Sequence, residues 1–330
     1  MSSCFPDPET VRTALSMASR APSVHNTQPW RWRVGEESLH LYAEPALQLR
    51  HTDPDSRDLI ISCGAALNHC SLALAALGWQ SKIHRFPNAA EPYHLASIEV
   101  QQWVPGEVDV ALAAAIPRRR TDRRRYSSWP VPHGDVALMG ARAARAGVAV
   151  RRVEAATELK AVLADAVYEH VNDAEYLAEL AMWSGRHAAT AGVPARNTPV
   201  SEPDAQIPGR MFAGPVLAQP PGTTVRDDQG ILLALGTAED DALARLRAGE
   251  ATSLLLLTAT AVGMATCPVT EALEIAATRD AIQTEVFGMD AFPQMLIRVG
   301  WAPVNADPLP ATPRRALAEI ATMLDGSALG

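Results

Sequence analysis

The sequence predicts a mixed fold of helices and strands in which one unit occurs twice along the chain. Three observations carry this expectation. Two long apolar helices are bracketed by glycines at the same interval, Gly64 and Gly78 in one, Gly249 and Gly263 in the other. At that constant offset Ala66 matches Ala251, Leu72 matches Leu257 and Ala76 matches Ala261. Each long helix is followed by strand candidates. Finally, two polar motifs occur once each, in different halves: Ala21-Pro22-Ser23-Val24-His25-Asn26-Thr27-Gln28-Pro29-Trp30, and Ile116-Pro117-Arg118-Arg119-Arg120-Thr121-Asp122-Arg123-Arg124-Arg125-Tyr126. Helix matches of this kind are individually weak in Ala/Leu-rich sequence, and chance similarity of two buried helices is the bland alternative. The strands after each helix favour duplication.

Taken in order, Asp7-Pro8 opens a helix, with Asp as the cap and Pro in the first turn, and Val11, Leu15 and Ala18 continue one face until Pro22 ends it. The alternation Trp30, Trp32, Val34, then Gly35-Glu36-Glu37, then Leu39 and Leu41 reads as a hairpin. A long helix is predicted over 58–78, its last Gly supplying a left-handed stop, and strands over 80–86 and 95–101. The second half begins near Val108, dividing the chain into 1–107 and 108–330. Helices are predicted over 108–116, 134–146 and 156–184, and a short strand over 148–153. The stretch 186–228, with seven prolines from Pro194 to Pro221, has no sustained period and reads as a lid, a binding loop or a linker. A strand over 231–235, a long helix over 240–264, a strand over 294–299 and a final helix after Pro313 complete the reading.

Composition narrows the function classes. At 330 residues, 48% apolar and 20% charged, the chain has room for two domains or one domain doubled, with a sizeable core. A formal net charge of -8 disfavours general nucleic-acid or anionic-membrane binding, so basic chemistry must be local. Cys4, Cys63, Cys70 and Cys267 form no C-x-x-C pair and the histidines no metal-binding pattern, so no metal is expected. The first seven residues carry no signal-peptide features, and the run 254–265 is too short and Thr-rich to span a bilayer. A cytoplasmic protein is expected.

Short polar residues locked between prolines can present donors and acceptors to a planar heterocycle, and an arginine cluster with an embedded Thr can hold a phosphate through forked contacts. Alone, six arginines within 118–125 read as readily as a solvated turn or a nucleic-acid patch; the companion loop tips the balance to phosphate. His25 is either a proton donor or, more commonly, a neutral residue fixing the loop. Trp30 and Trp32 are expected in the hairpin and core. Arg314 and Arg315 could decorate the first turn of the last helix, a poor place for cations unless an anion is near.

At these residues the chain resembles a family. The run at 22–30, Arg119-Arg120-Thr121-Asp122-Arg123 and the Gly-x-Ala helices resemble the nitroreductase-like flavoproteins; Ala21 to Trp30, Ala191-Gly192-Val193-Pro194-Ala195-Arg196 and Ile297-Arg298-Val299-Gly300-Trp301 resemble its Acg-type branch. The resemblance covers nearly the whole chain. It implies an α+β fold, here a duplicated nitroreductase-like unit forming a pseudo-dimer within one chain, a monomer in solution, under a Pro-rich lid. It implies one composite FMN site. Arg119, Thr121 and Arg123 match the phosphate motif, with Arg314 and Arg315 as candidate carboxy-terminal cations. Pro22, Ser23, His25, Asn26 and Gln28 belong to the loop that faces the isoalloxazine and ribityl chain, and Pro268, Val269 and Thr270 to the strip beside flavin N5 and O4. Thr121 replaces the usual Ser and Tyr126 falls one residue late, which leaves open which of Arg119, Arg120, Arg123 and Arg124 touches phosphate.

Two functions follow from the resemblance. NAD(P)H could reduce the flavin, which then reduces a nitroaromatic or quinone, with no side chain needed as nucleophile. Alternatively, the Pro-rich segment could close over the ring, making the protein a store or sequestering protein for FMN, as in Acg-type members with a buried flavin, weak nitroreduction and expression linked to hypoxic dormancy. Prolines lower the entropy cost of ordering such a cover, and the sequence leans slightly toward restricted access. A partner-binding protein using the basic cluster externally leaves Ser23, Asn26 and Gln28 unexplained.

Overall fold

The computed structural model describes residues 5–153, 156–185, 190–202, 205, 207 and 209–329; Cys4 and parts of the 186–228 stretch lie outside them. The first half contains α1 (Pro8–Ala18), β1 (Trp30–Val34), β2 (Ser38–Ala43), α2 (Arg57–Ala76), β3 (Trp79–Arg85) and β4 (His94–Gln102). Asp7 caps α1 by accepting from the N–H groups of Glu9 and Thr10 at 2.9 Å. Then come α3 (Glu107–Ala115), α4 (His133–Ala144), β5 (Ala149–Arg152), α5 (Ala156–Val171) and α6 (Ala174–Met182). After the Pro-rich stretch follow β6 (Ile231–Thr237), α7 (Ala242–Ala261), β7 (Ala265–Val269), α8 (Glu271–Glu274), α9 (Ala276–Ile282), β8 (Phe292–Gly300), α10 (Leu317–Ile320) and β9 (Ala321–Met323).

The strands form two sheets, ordered β3-β4-β2-β1-β9 and β5-β6-β8-β7. Read from the opposite edge, the second runs β7-β8-β6-β5, the same order as β3-β4-β2-β1. Both sheets carry a register shift at corresponding strand pairs, between Leu41 and Tyr42 and between Leu235 and Gly236. Trp30 and Trp32 are fully buried with α1 and α2 against the first sheet. Helices α4 and α7 cover one face of the second sheet, and α5, α8 and α9 the other.

The two long helices cross at their matched glycines. A Cβ on Gly64 would lie 2.1 Å from the Leu246 carbonyl oxygen, and one on Gly249 would lie 2.0 Å from that of Ile61. Residues 61 and 64 sit at the same offset from 246 and 249, so each helix offers its partner the same contact it receives, the signature of a local two-fold arrangement. Among the described residues α2 is the one helix long and apolar enough to cross a bilayer, and most of that span is buried inside the molecule.

Two sequence expectations are corrected. The helix over 156–184 is two helices, because Asp173 accepts from the N–H groups of Glu175 and Tyr176, at 2.9 and 3.0 Å, and so starts a new one. The final helix is a single turn, after which β9 pairs in parallel with β1 through Trp32↔Ala321 and Val34↔Met323. The end of the chain thus completes the first sheet, an edge pairing that local sequence does not encode.

Candidate functional site

The motif loop holds three non-glycine residues in the left-handed region: His25 at φ 44°, Asn26 at 56° and Gln28 at 55°. Such conformations cost of order 1–3 kcal/mol each and persist only when their surroundings fix them. Here the amides of the loop do the fixing. Asn26 donates to the carbonyls of Gly192 and Pro313, at 3.0 and 3.1 Å, and accepts from Arg314 at 2.9 Å. Gln28 donates to the Thr190 carbonyl at 3.0 Å and accepts from the Arg315 N–H at 2.8 Å. Ser23 Oγ accepts from the Gln28 N–H at 2.9 Å.

Beside this loop lie two cavities that share Thr121. The larger, about 190 Å³, is lined by Pro22, Ser23 and His25 from the loop, by Arg123, and by Pro268, Val269 and Thr270, where β7 runs into α8. The smaller, about 30 Å³, is lined by Arg20, Arg119, Arg120, Arg314 and Asn197. A compact group fits the smaller; only the larger admits an extended planar one.

The smaller cavity is electrostatically incomplete. Burial and then the like charges of Arg120, Arg20 and Arg123 lower the pKa of Arg119 to about 10, and burial with Arg119, Arg20 and Arg120 lowers that of Arg314 to about 9. Nε of Arg20, Nε and Nη1 of Arg119 and Nε of Arg314 are buried without a hydrogen-bond partner. Among the described residues, none of the four arginines pairs with a carboxylate. Buried guanidinium groups in this state call for an anion.

Other arginines of the 118–125 run are spent elsewhere. Arg124 pairs with Asp122 at 2.9 Å, and Arg125 Nε donates to Glu202 at 2.9 Å. Tyr126 is buried, donates to the Asp122 carbonyl at 3.0 Å, and lies under the Arg298 guanidinium, 4.0 Å from its ring centre. Arg123 lines the larger cavity rather than the smaller, stacked 4.8 Å from the Phe212 ring centre.

The expected site is therefore redistributed. Asn26 and Gln28 line neither cavity; their side chains tie the loop to residues 190–192 and to the chain end. Arg315 is not in the cationic cavity but pairs with Glu44 at 3.0 Å. His25 Nε2 accepts from Arg210 at 2.7 Å, and burial followed by Arg210 and Arg123 holds its pKa well below the usual value. This setting favours the neutral imidazole, whose Nδ1 is buried without a hydrogen-bond partner. Arg20, Asn197, Asp58 and Arg210 line the cavities without having been singled out by any sequence signal.

Residues of the Pro-rich stretch wall the larger cavity, among them Val200, Glu202, Ile207 and Phe212. Ion pairs join it to the rest of the second half: Glu202 to Arg125, Arg210 to Glu274 and Asp228 to Arg298. The Arg210 side chain, 8% exposed, also donates to Tyr176 Oη at 2.8 Å and Thr270 Oγ1 at 3.1 Å. Arg210→Met is expected to release this wall, read as faster limited proteolysis within 199–228; wild-type cleavage rates would count against the anchoring role.

The nitroreductase family model matches residues 116–301, more than half of the chain. A Mycobacterium tuberculosis protein provisionally named an NAD(P)H nitroreductase is 64% identical over 97% of this chain and 93% of its own length. The chain belongs to the nitroreductase family. Within the family it is also 36% identical to Acg of M. tuberculosis, over 94% of this chain and 95% of that protein. Solved structures similar to this family member include an FMN-dependent nitroreductase from Mycobacterium smegmatis in complex with NADPH, at 18% identity and TM-score 0.40, covering 64% of this chain and 97% of that one. A nitroreductase with bound FMN from Bacteroides fragilis is similar at 14% identity and TM-score 0.40, covering 62% and 95%.

Proposed function

We propose that this nitroreductase-family chain binds one FMN across its two halves and acts as an NAD(P)H-dependent oxidoreductase on nitroaromatics or quinones. The observation that carries the reading is that the small cavity, which shares Thr121 with the larger one, holds Arg119 and Arg314 deeply buried and without a carboxylate partner among the described residues. In this reading Arg119 and Arg314 hold the phosphate, with Arg20 and Arg120 beside them, and Thr121 marks the passage between phosphate and ring. Pro22 and Ser23 form one wall for the ring, and the Pro268-Val269-Thr270 strip another. When bound, FMN would supply the two-electron redox chemistry that these side chains lack. Arg123, which has no carboxylate partner among the described residues, offers positive charge where negative charge would arrive.

The shared strand order and the reciprocal glycine contact support a duplicated unit that acts as a pseudo-dimer, with halves 1–107 and 108–330 and a monomer in solution. One chain then supplies both sides of the site. A second reading, FMN storage or sequestration, is favoured by one observation, the wall that described residues of the Pro-rich stretch contribute to the larger cavity, fastened by three ion pairs. It makes the Pro-rich stretch a closed lid.

An anaerobic titration of FMN-loaded protein with NADH and NADPH, with dithionite as control, separates the two. Rapid bleaching by either nucleotide is the expected result for the oxidoreductase. Bleaching by dithionite alone moves the assignment to storage.

A further inference from the structure

The first turn of α2 carries a carboxyl group into the larger cavity that no structural need explains. Asp58 is buried, lines that cavity, and leaves Oδ1 without a hydrogen-bond partner. Capping of the helix is performed by Asp53, which accepts from the N–H groups of Asp58 and Leu59 at 3.1 and 2.8 Å. The adjacent Arg57 is directed away, donating to the Pro293 carbonyl at 2.9 Å and Gln294 Oε1 at 3.0 Å. An ionised carboxylate in this setting is costly, so the group is suited to holding a proton.

We propose that Asp58 is the proton donor to the electron acceptor, with a quinone as the acceptor on which the step is written out and tested. The proposal rests on the oxidoreductase reading above. Two-electron reduction of a quinone needs a hydride and a proton. The hydride equivalent, which originates in NAD(P)H and which the cofactor would deliver when bound, would add to one carbonyl oxygen while an electron pair moves through the quinone ring to the other. That second oxygen takes the Asp58 proton: the carboxyl O–H bond breaks and the hydroquinone O–H bond forms. Water reprotonates the carboxylate, so the turnover consumes NAD(P)H, quinone and one solvent proton and releases NAD(P)+ and hydroquinone.

The charged neighbours support a carboxyl that stays protonated above the usual aspartate range. Burial is the largest influence and Glu274 of α8 adds to it, while Arg57 of α2, Arg210 of the cavity wall and Arg279 of α9 oppose it; the net shift is upward. Asp53, in the turn before α2, is raised by burial and then by Asp58. For an acid whose folded pKa is raised, the associated stability is present below the unfolded pKa and is lost as pH rises through the folded one. Asp58→Asn keeps the shape and removes the charge. It is therefore expected to raise Tm, more at pH 8 than at pH 5, the stability cost of a functional group being relieved.

The test uses FMN-loaded wild type and Asp58→Asn, each reduced anaerobically with dithionite and mixed with 2-methyl-1,4-naphthoquinone while flavin absorbance is followed. Loss of a positioned proton donor is expected to slow reoxidation by roughly 100-fold or more, and to abolish the fall in rate expected of the wild type as pH rises through the Asp58 ionisation. A wild-type rate or pH profile in the variant, a lower Tm at pH 8, or reduced wild type that the quinone does not reoxidise overturns the proposal. Should the variant not fold, 13C-aspartate NMR of the wild type decides: titration of every aspartate in the ordinary range is the contrary result. Failure of the wild type to retain FMN would instead bring down the cofactor reading, and this proposal with it.

Discussion

Replacing Arg119 by Ala is expected to weaken FMN binding and, in the same protein without flavin, to raise thermal stability. The first effect is the loss of one charge-assisted contact, about 1.5–3 kcal/mol, or roughly 10- to 150-fold in Kd. The second follows from the cavity itself. Arg119 is buried among Arg20, Arg120 and Arg123, and its one side-chain hydrogen bond among the described residues, to the Arg20 carbonyl, is 3.5 Å long. Its pKa is lowered to about 10 from 12.5, so the folded state binds that proton less tightly than the unfolded state. The stability cost is therefore fully present at neutral pH and fades only as pH climbs through that interval. Flavin titration and thermal melts of wild type and variant at pH 7 check both halves. A variant that holds FMN as tightly as the wild type removes Arg119 from the site; one that melts lower without flavin assigns it a structural role.

The second large effect lies far from the cavities. Gly64→Ala or Gly249→Ala puts a methyl group 2.1 or 2.0 Å from a backbone carbonyl oxygen of the facing helix. Neither carbonyl can rotate away as a side chain would, so α2 and α7 must separate along their crossing. Overpacking of this kind costs about 1–3 kcal/mol or more, outweighing the roughly 1 kcal/mol by which Ala improves on Gly as a helix former. Gly134→Ala is the control, since a Cβ there meets nothing within 4 Å. Denaturant melts should show both core variants destabilised and Gly134→Ala neutral or slightly stabilised. Equal stability of Gly64→Ala and the wild type would contradict the close crossing.

These two predictions mark what the sequence could reveal. The glycine interval was legible because close helix approach restricts residue type at the contact and leaves the restriction visible in each copy. The hairpin at Trp30 to Ala43 and the helix cap at Asp7 were legible because period and capping are local properties. The splitting of 156–184 had a local signal in Asp173, but the apolar pattern continues across it and masks the break. Strand β9 had none, since three residues become a strand only when an edge nearly 290 positions away accepts them.

The site divides along the same line. That an arginine cluster accompanies the loop of Pro22 to Pro29 was readable from residue types. Which arginines remain uncompensated was not, because the acids that neutralise Arg125 and Arg298 are Glu202 and Asp228, placed by a long irregular stretch. Asn26 and Gln28 illustrate the limit: residue types suited to a ligand are equally suited to holding a left-handed loop, and only their partners distinguish the two uses.

The most direct test of the account compares FMN with riboflavin in equilibrium titrations of flavin-free protein, with the mass of the loaded species measured by light scattering. The two flavins share the ring and ribityl chain and differ only in the phosphate assigned to Arg119 and Arg314. The account predicts one FMN per monomeric chain and riboflavin binding weaker by tenfold or more. Equal affinity for the two flavins, or no flavin binding at all, would contradict the assignment of the arginine cavity to the phosphate.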